Sequence, residues 1–336
     1  MAALLAGATR FGLGMGIFFL GLALMRRGLE GVAGARARRT IAHLTRTRTG
    51  AAAAGLLLTL VLQSSSLCTV LLMELVDAGL IGYPAAVVVI LGGNVGAALS
   101  VQFLALRLYD LALPILAAGV AVAVVSRGRP VRDLGIGLAG FGTVYAGIAL
   151  VTSAARPLTR DPRLGALLLH LGKSPVGAGL FGCLITAVVQ SNAIANGILL
   201  ALARQGLLPI ATAAAVIAGA NVGSGTLALI AALPLTPLAR RLALANALVN
   251  IVGLLWVVPG FPLFVDLAGT FARDSAQAMA NAHILFNLLA SLSLLPLSLP
   301  FARFAGLLAD RLFPAPPALE PLPWHGGGPH GSTPPV

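Results

Sequence analysis

Charged residues are scarce in this sequence. Asp, Glu, Lys and Arg make up 10% of its 336 residues, whereas soluble domains carry about 25%. Hydrophobic residues make up 58%, and the mean hydropathy is +0.96. This composition excludes an ordinary soluble domain and predicts an all-α membrane protein with several membrane-crossing helices.

Cysteine and acidic residues are scarce as well. Cys68 and Cys183 both lie in apolar sequence and provide neither a disulfide framework nor a zinc-binding pattern. The 22 basic residues outnumber the 10 acidic ones, but they lie in short segments between apolar runs, as in the loops that orient membrane proteins. We therefore expect a lipid bilayer as the partner of this basic chain and no nucleic acid, with the protein in the plasma (inner) membrane.

Two further apolar segments, 50–77 and 177–204, differ from membrane-crossing spans. Each is too short for two crossings of about 20 residues each. Polar residues interrupt the middle of each segment: Gln63, Ser64, Ser65 and Ser66 in the first, and Gln190, Ser191 and Asn192 in the second. We interpret both segments as re-entrant helical hairpins with the polar residues at the tip.

The alternative for the polar residues is an unbroken helix. Serine and threonine hydroxyls inside membrane helices bond back to the carbonyls of their own helix. This explains one or two serines but not four adjacent polar residues, because an unpaired polar group in the bilayer costs several kcal/mol. A break that faces a cavity explains the pattern better.

The two hairpins belong to an internal repeat. When the sequence is aligned with itself so that Gln63 falls on Gln190, Asn94 falls on Asn221. The stretches 63–94 and 190–221 then align without a gap. We therefore predict membrane repeat 1 at 1–126, membrane repeat 2 at 134–262 and a final transmembrane span at 281–300. The tail, 314–336, is rich in Pro and Gly and is typical of disorder.

Each repeat also contains a span with a glycine-rich centre. Asn94 lies within Gly92-Gly93-Asn94-Val95-Gly96, and Asn221 lies within Gly219-Ala220-Asn221-Val222-Gly223. Small residues also serve close helix packing, and we favour that explanation for the glycines at 12–21 and 135–142. Where an asparagine lies between glycines twice, we expect an interrupted transmembrane helix.

The number of spans predicts the topology. Each repeat has three crossing spans and one hairpin that returns to its own side, so the second repeat enters the membrane from the opposite face. Inverted repeats of this kind place the binding site of secondary transporters at the midplane. With the N-terminus outside and the C-terminus cytoplasmic, more basic residues face the cytoplasm than face outward, as the positive-inside rule favours. The basic linker at 156–173 counts against this orientation.

The polar motifs favour the binding of an anion together with a cation. Beyond each hairpin tip a new helix begins, whose free N–H groups and positive dipole end suit an oxyanion. Carbonyl groups freed in the interrupted spans, with Asn94 and Asn221, are suitable ligands for a small cation such as Na⁺. Such duplicated donors and acceptors indicate a cation-coupled anion symporter.

These motifs resemble those of the type II sodium-dependent phosphate cotransporters and their bacterial Na/Pi-cotransporter relatives. The shared mark is a duplicated Gln-Ser-Ser-Ser segment followed by a Gly-Ala-Asn motif, and here Asn94 follows Gln63 at the same distance as Asn221 follows Gln190. Stretches 240–250 and 280–287 also look like the family. The resemblance covers about residues 11–300; the soluble C-terminal regulatory domain of many bacterial relatives is not expected in this chain.

The resemblance implies sodium-coupled phosphate symport, with Na⁺ as the coupling ion, no other cofactor and no enzymatic activity. It implies a phosphate site at the hairpin tips, formed by Gln63, Ser64, Ser65, Ser66, Gln190, Ser191 and Asn192. It implies a sodium site formed by Thr69, Asn94, Asn196, Asn221, Ser224 and Thr226.

The sequence departs from the family pattern in both halves. Asn192 and Ala193 replace two serines of the second motif, and alanines follow Asn94-Val95-Gly96 where the family has threonines. We therefore expect the first hairpin to hold most of the anion. Sodium- or proton-coupled transport of another small oxyanion stays open.

Other interpretations also stay open. A membrane-embedded serine enzyme could use the serines at 64–66 with His283, and a non-transporting scaffold would tolerate the lost hydroxyls. His283 is either a functional ionisable group or one member of a packing network with Asn281 and Asn287. A homodimer is an alternative to a monomer that the sequence does not decide.

Overall fold

The computed structural model describes residues 2–33, 44–62, 65–77, 79–106, 108, 110–155, 174–189 and 192–314. These residues form α-helices and no strand, which confirms the all-α prediction. The helices are α1 (Ala2–Ala33), α2 (Arg48–Leu62), α3 (Ser65–Asp77), α4 (Tyr83–Ala105), α5 (Ala112–Val125), α6 (Arg129–Ala155), α7 (Pro175–Val189), α8 (Asn192–Arg204), α9 (Ile210–Ala232), α10 (Pro237–Val257), α11 (Phe261–Gly269), α12 (Ser275–Leu294) and α13 (Ser298–Leu312).

Five of the described helices are long and apolar enough to cross a membrane: α1, α4, α6, α9 and α10. Helices α12 and α13 together give a sixth candidate, although they meet at an angle of 95°. Helix α5 lies in predicted repeat 1, and its 14 residues are fewer than the roughly 20 of a typical crossing. The protein is therefore a multi-pass membrane protein.

Each predicted hairpin forms two short helices, α2 with α3 and α7 with α8. The first helix of each pair runs parallel to the long helix that follows the hairpin. Gly92 of α4 lies against Ala52 of α2, and Gly96 lies against Leu56, so the contacts advance together along both helices. Because α2 and α4 run in the same direction, α3 must return the chain toward the end at which α2 begins.

The second half repeats these contacts at the equivalent positions of the internal repeat. Gly219 of α9 lies against Gly179 of α7, and Gly223 lies against Cys183. The turns that follow the hairpins repeat as well, because Gly79 has φ 69° and Gly206 has φ 71°, values that glycine adopts without strain. The duplicated sequence thus forms duplicated packing.

The predicted interruption of the two long spans is wrong. Helix α4 runs unbroken from Tyr83 to Ala105, and α9 runs unbroken from Ile210 to Ala232. A Cβ atom at Gly92 or Gly219 would overlap the carbonyl oxygen of the hairpin helix. The glycines therefore serve close helix packing, and no backbone carbonyl is freed for a cation at Asn94 or Asn221.

The first helices of the two predicted repeats, α1 and α6, form an antiparallel pair. Gly14, Gly21 and Gly28 of α1 lie against Val151, Val144 and Gly137 of α6, in that order. Corresponding helices of the two halves therefore run in opposite directions here. The inverted orientation of the complete repeats stays a prediction.

The last described helices differ from the single span predicted at 281–300. Helix α12 ends at Leu294, and α13 leaves it at 95°. Pro296 lies in the break, where its missing N–H disfavours a continued helix. The guanidinium of Arg241 holds α13 by donating two hydrogen bonds of 2.8 Å to the carboxylate of Asp310. The disordered tail was predicted at 314–336, and its residues after 314 lie outside the described part of the chain.

We expect Gly219→Ala and Gly92→Ala to destabilise the protein, because each added methyl group meets a backbone oxygen. Overpacking of this kind costs about 1–3 kcal/mol, so the melting temperature of detergent-purified protein should fall. Gly16→Ala is the matched control, since nothing lies within 4 Å of its Cβ position. Equal melting temperatures for Gly219→Ala and Gly16→Ala would contradict the packing role.

Candidate functional site

A cavity of about 390 Å³ lies between the two halves of the molecule. It is bounded by α3 and α4 of the first half, by α7, α8 and α9 of the second half, and by α10 and α12. Its polar lining consists of hydroxyl and amide side chains. These are Ser65, Thr69, Asn94, Thr186, Asn192, Asn221, Ser224, Asn246, Asn250 and Asn287. No charged side chain is among the described residues that line it.

Two helix N-termini contribute to this cavity. Ser65 is the first residue of α3 and Asn192 is the first residue of α8, and both line the cavity. The first N–H groups of a helix lack partners within that helix, and its N-terminal end carries a partial positive charge. One cavity thus receives such an end from each hairpin, an arrangement that suits an anion.

Six of the predicted site residues meet in this cavity: Ser65, Thr69, Asn94, Asn192, Asn221 and Ser224. Ser66 lies in the first turn of α3, but its side chain is not described. Four other predicted residues, Gln63, Ser64, Gln190 and Ser191, lie outside the described residues, at the two breaks. Their place in the site stays a prediction.

Two predicted sodium ligands do not line the cavity. Thr226 is exposed, and its hydroxyl donates a hydrogen bond of 3.1 Å to the carbonyl of Val222. Asn196 is buried in α8, and its Oδ1 accepts no hydrogen bond from the described residues. Both residues are about one helical turn or less from a lining residue.

Sequence reasoning missed four polar lining residues: Thr186, Asn246, Asn250 and Asn287. Two signals could have found them. Thr186 is the repeat partner of Thr59, so it belongs to the duplicated set. The three asparagines lie in the two additional stretches that resemble the family, which were not assigned to the site.

The asparagines of the long helices bond to those of α10 and α12. Asn94 donates from Nδ2 to Oδ1 of Asn246 at 3.2 Å. Asn221 accepts at Oδ1 from Nδ2 of Asn287 at 3.2 Å and lies 3.0 Å from Nε2 of His283. Each half therefore places one asparagine in the cavity wall, and α10 or α12 holds that asparagine by a hydrogen bond.

A second, smaller polar pocket of about 320 Å³ lies where α4 ends and α12 begins. Gln102 and Gln277 both donate to Oδ1 of Asn281, at 3.2 and 3.3 Å. Asn281 in turn donates to the carbonyl of Ala268 at 2.9 Å. Asn281 thus joins three segments at the start of α12, whereas His283 and Asn287 bond to Asn221.

Comparison with known proteins gives a family match and several relatives. The model of the Na⁺/Pi-cotransporter family matches twice, at residues 17–153 and 150–289, which agrees with the internal repeat. YqeW of Bacillus subtilis, a protein of uncharacterised function, is 29% identical over 87% of this chain and 95% of its own length.

A second group of relatives is longer than this chain. YjbB of Escherichia coli O157:H7, a protein proposed to export inorganic phosphate, is 28% identical over 84% of this chain. YjbB of Salmonella typhimurium is 26% identical over the same share. The match covers 52% of each YjbB protein, so the chain spans about half of their length. No solved structure shows a significant match.

Labelling of introduced cysteines should show that the cavity contains water. Ala97 lines the cavity, whereas its neighbour Ala98 is fully buried. In a background with Cys68 and Cys183 replaced by Ala, we expect Ala97→Cys to react with a charged, water-soluble thiosulfonate at least about tenfold faster than Ala98→Cys, because thiolates form in water. Equal rates, measured by mass spectrometry, would show that the cavity is closed to water.

Proposed function

The chain belongs to the Na⁺/Pi-cotransporter family, and from this premise we propose that it is a secondary transporter for inorganic phosphate, coupled to Na⁺. The observation that carries the proposal is the cavity in which the helix N-termini of both hairpins meet. We place the protein in the plasma (inner) membrane as a multi-pass protein with its N-terminus outside and its C-terminus in the cytoplasm.

The proposed phosphate site uses neutral donors. Phosphate oxygens accept hydrogen bonds, and the cavity offers N–H groups at the starts of α3 and α8, the hydroxyl of Ser65 and the amide of Asn192. Backbone N–H groups at helix starts hold anions without a buried cationic side chain. A fixed Arg or Lys would bind the anion strongly in both orientations of a transporter and would hinder its release.

The proposed cation lies in the same cavity, on oxygen ligands. Ser65, Thr69 and Asn94 present hydroxyl or amide oxygens there, and small hard cations favour such ligands. A cation about 4 Å from the anion gains about 4 kcal/mol at an effective dielectric constant of about 20. That gain corresponds to a roughly thousandfold change in affinity, which is sufficient to make anion binding depend on the cation.

The proposal leaves specific alternatives. A proton or another small oxyanion in the same site would use the same neutral donors and acceptors. The YjbB relatives are named for phosphate export, so the direction of net movement is a separate question from the site. Membership of a transporter family supports a transporter over a membrane-embedded serine enzyme or a non-transporting scaffold.

Purified protein reconstituted into liposomes should take up labelled phosphate when an inward Na⁺ gradient is imposed, and choline in place of Na⁺ should abolish uptake. The reason is that the described lining of the site holds no fixed positive charge to replace the cation. Liposomes without protein are the control. Uptake of another oxyanion, with no uptake of phosphate, would overturn the phosphate assignment.

Two alanine variants of α3 compare a residue that lines the cavity with a residue that does not. Ser65→Ala removes a hydroxyl that lines the cavity, whereas Cys68→Ala changes a buried thiol that does not. Loss of one hydrogen bond to a charged group costs about 1.5–3 kcal/mol, so we expect the half-saturating phosphate concentration to rise about tenfold or more in Ser65→Ala. The same rise in Cys68→Ala would argue against a hydroxyl site at this helix start.

A further inference from the structure

Repeat-related Asn94 and Asn221 line the same cavity but make different use of their side-chain oxygens. The repeat places them at equivalent positions of α4 and α9. Their bonding partners come from α10 in the first case and from α12 in the second. This difference indicates which half of the molecule can offer an oxygen to a cation.

The orientation of the Asn221 amide is fixed by backbone groups. Its Nδ2 donates to the carbonyl of Ile217 at 2.8 Å, so its Oδ1 points toward α12. Asn287 is oriented in the same manner, because its Nδ2 donates to the carbonyl of His283 at 2.9 Å and also to Oδ1 of Asn221 at 3.2 Å. Since each amide nitrogen has a backbone acceptor, neither amide can be turned over without losing a bond.

This arrangement determines the role of the His283 ring. Its Nε2 lies 3.0 Å from Oδ1 of Asn221, and because that atom is an acceptor, Nε2 must carry the hydrogen. Oδ1 of Asn221 therefore receives two N–H donors, one from Asn287 and one from His283. Both donors are buried, with His283 only 2% exposed, so a cation at this oxygen would leave buried N–H groups without an acceptor.

Asn94 presents the opposite case. Its Nδ2 donates to Oδ1 of Asn246 at 3.2 Å, so its own Oδ1 is not used in that bond. No side chain or backbone N–H of the described residues donates to this oxygen, and the residue is half-buried in the cavity wall. Thr69 and Ser65 line the cavity from α3 on the same half.

We propose that His283, with Asn287, occupies the side-chain oxygen of Asn221, so that the coupling cation binds in the first half of the molecule, at Asn94 with Ser65 and Thr69. His283 is then a positioning residue that determines how many cation sites the duplicated cavity offers. The inference rests on the proposed sodium coupling. It makes the two halves unequal in cation binding, although both halves carry the asparagine.

The matched pair Asn94→Ala and Asn221→Ala tests the proposal. One measurement is the Na⁺ concentration for half-maximal phosphate uptake in liposomes. The other is the rise in melting temperature of purified protein in NaCl over choline chloride, without phosphate. We expect Asn94→Ala to raise half-saturating Na⁺ at least tenfold and to abolish the melting shift. Asn221→Ala should change half-saturating Na⁺ less than threefold and keep the shift, whatever its maximal rate.

Variants of His283 provide the second test. His283→Leu removes one of the two donors to the oxygen of Asn221 and leaves the bond from Asn287. Because one acceptor position of that oxygen then opens to a cation, the variant should lower half-saturating Na⁺ or add a second component to the Na⁺ titration. His283→Gln keeps an N–H donor and should behave as the wild type does. If His283→Leu does not fold, the Asn94 and Asn221 pair decides alone, because neither change removes a helix-packing side chain of α12.

The outcomes separate this inference from the proposed function. Equal effects of Asn94→Ala and Asn221→Ala, or no stabilisation of the wild type by Na⁺, overturn the assignment of the cation to the first half. If Na⁺ raises the melting temperature of the wild type and only Asn94→Ala abolishes this rise, the inference is supported. If the same protein also transports no phosphate, the proposed phosphate function is overturned.

Discussion

A single constraint underlies this structure: polar groups placed inside a membrane protein must find partners within the protein, because the bilayer core provides none. The hairpin helices bring hydroxyl and amide side chains to the middle of the molecule, where the breaks at 62–65 and 189–192 interrupt the helices. Helix α2 packs tightly against α4, and α7 packs tightly against α9. That contact depends on glycines, since a Cβ atom at Gly92 or Gly219 would meet backbone. Glycine packing thus holds the hairpin helices against the long helices whose asparagines line the cavity.

The two halves that form the cavity have similar backbone arrangements, but their polar side chains differ in hydrogen bonding. Both send a helix N-terminus and an asparagine into it, at Ser65 with Asn94 and at Asn192 with Asn221. In the second half, hydroxyl and amide groups already bond within the protein: Ser224 donates to the carbonyl of Asn221, and Asn221 accepts from α12. In the first half, Thr69 likewise donates to the carbonyl of Ser65, but none of the described residues donates to the side-chain oxygen of Asn94. Duplication therefore gives both halves the same backbone arrangement, and in our proposal the lost symmetry determines where the cation binds.

Much of the fold and part of the site could be predicted from sequence, because polar residues in an apolar chain are conspicuous and a repeat marks them twice. The repeat marked Ser65, Asn94, Asn192 and Asn221 as candidate site residues, and the structure brings these four residues to one cavity. Prediction failed where it assumed broken spans. In an unbroken α9, Ser224 follows Asn221 by nearly one turn and shares its face, whereas Thr226 is turned away by the helical period of about 3.6 residues. Asn246 and Asn287 were not assigned because their role depends on long-range contacts that no repeat or spacing reveals.

The central claim is that an anion binds between the two hairpins without a cationic side chain. The most direct measurement is a high-resolution cryo-electron microscopy map of the protein in lipid nanodiscs with saturating phosphate and Na⁺. The account predicts density for phosphate between the starts of α3 and α8, within hydrogen-bonding distance of Ser65 and Asn192. Phosphate density beside arginine side chains elsewhere, with the central cavity filled by lipid or side chains, would contradict it.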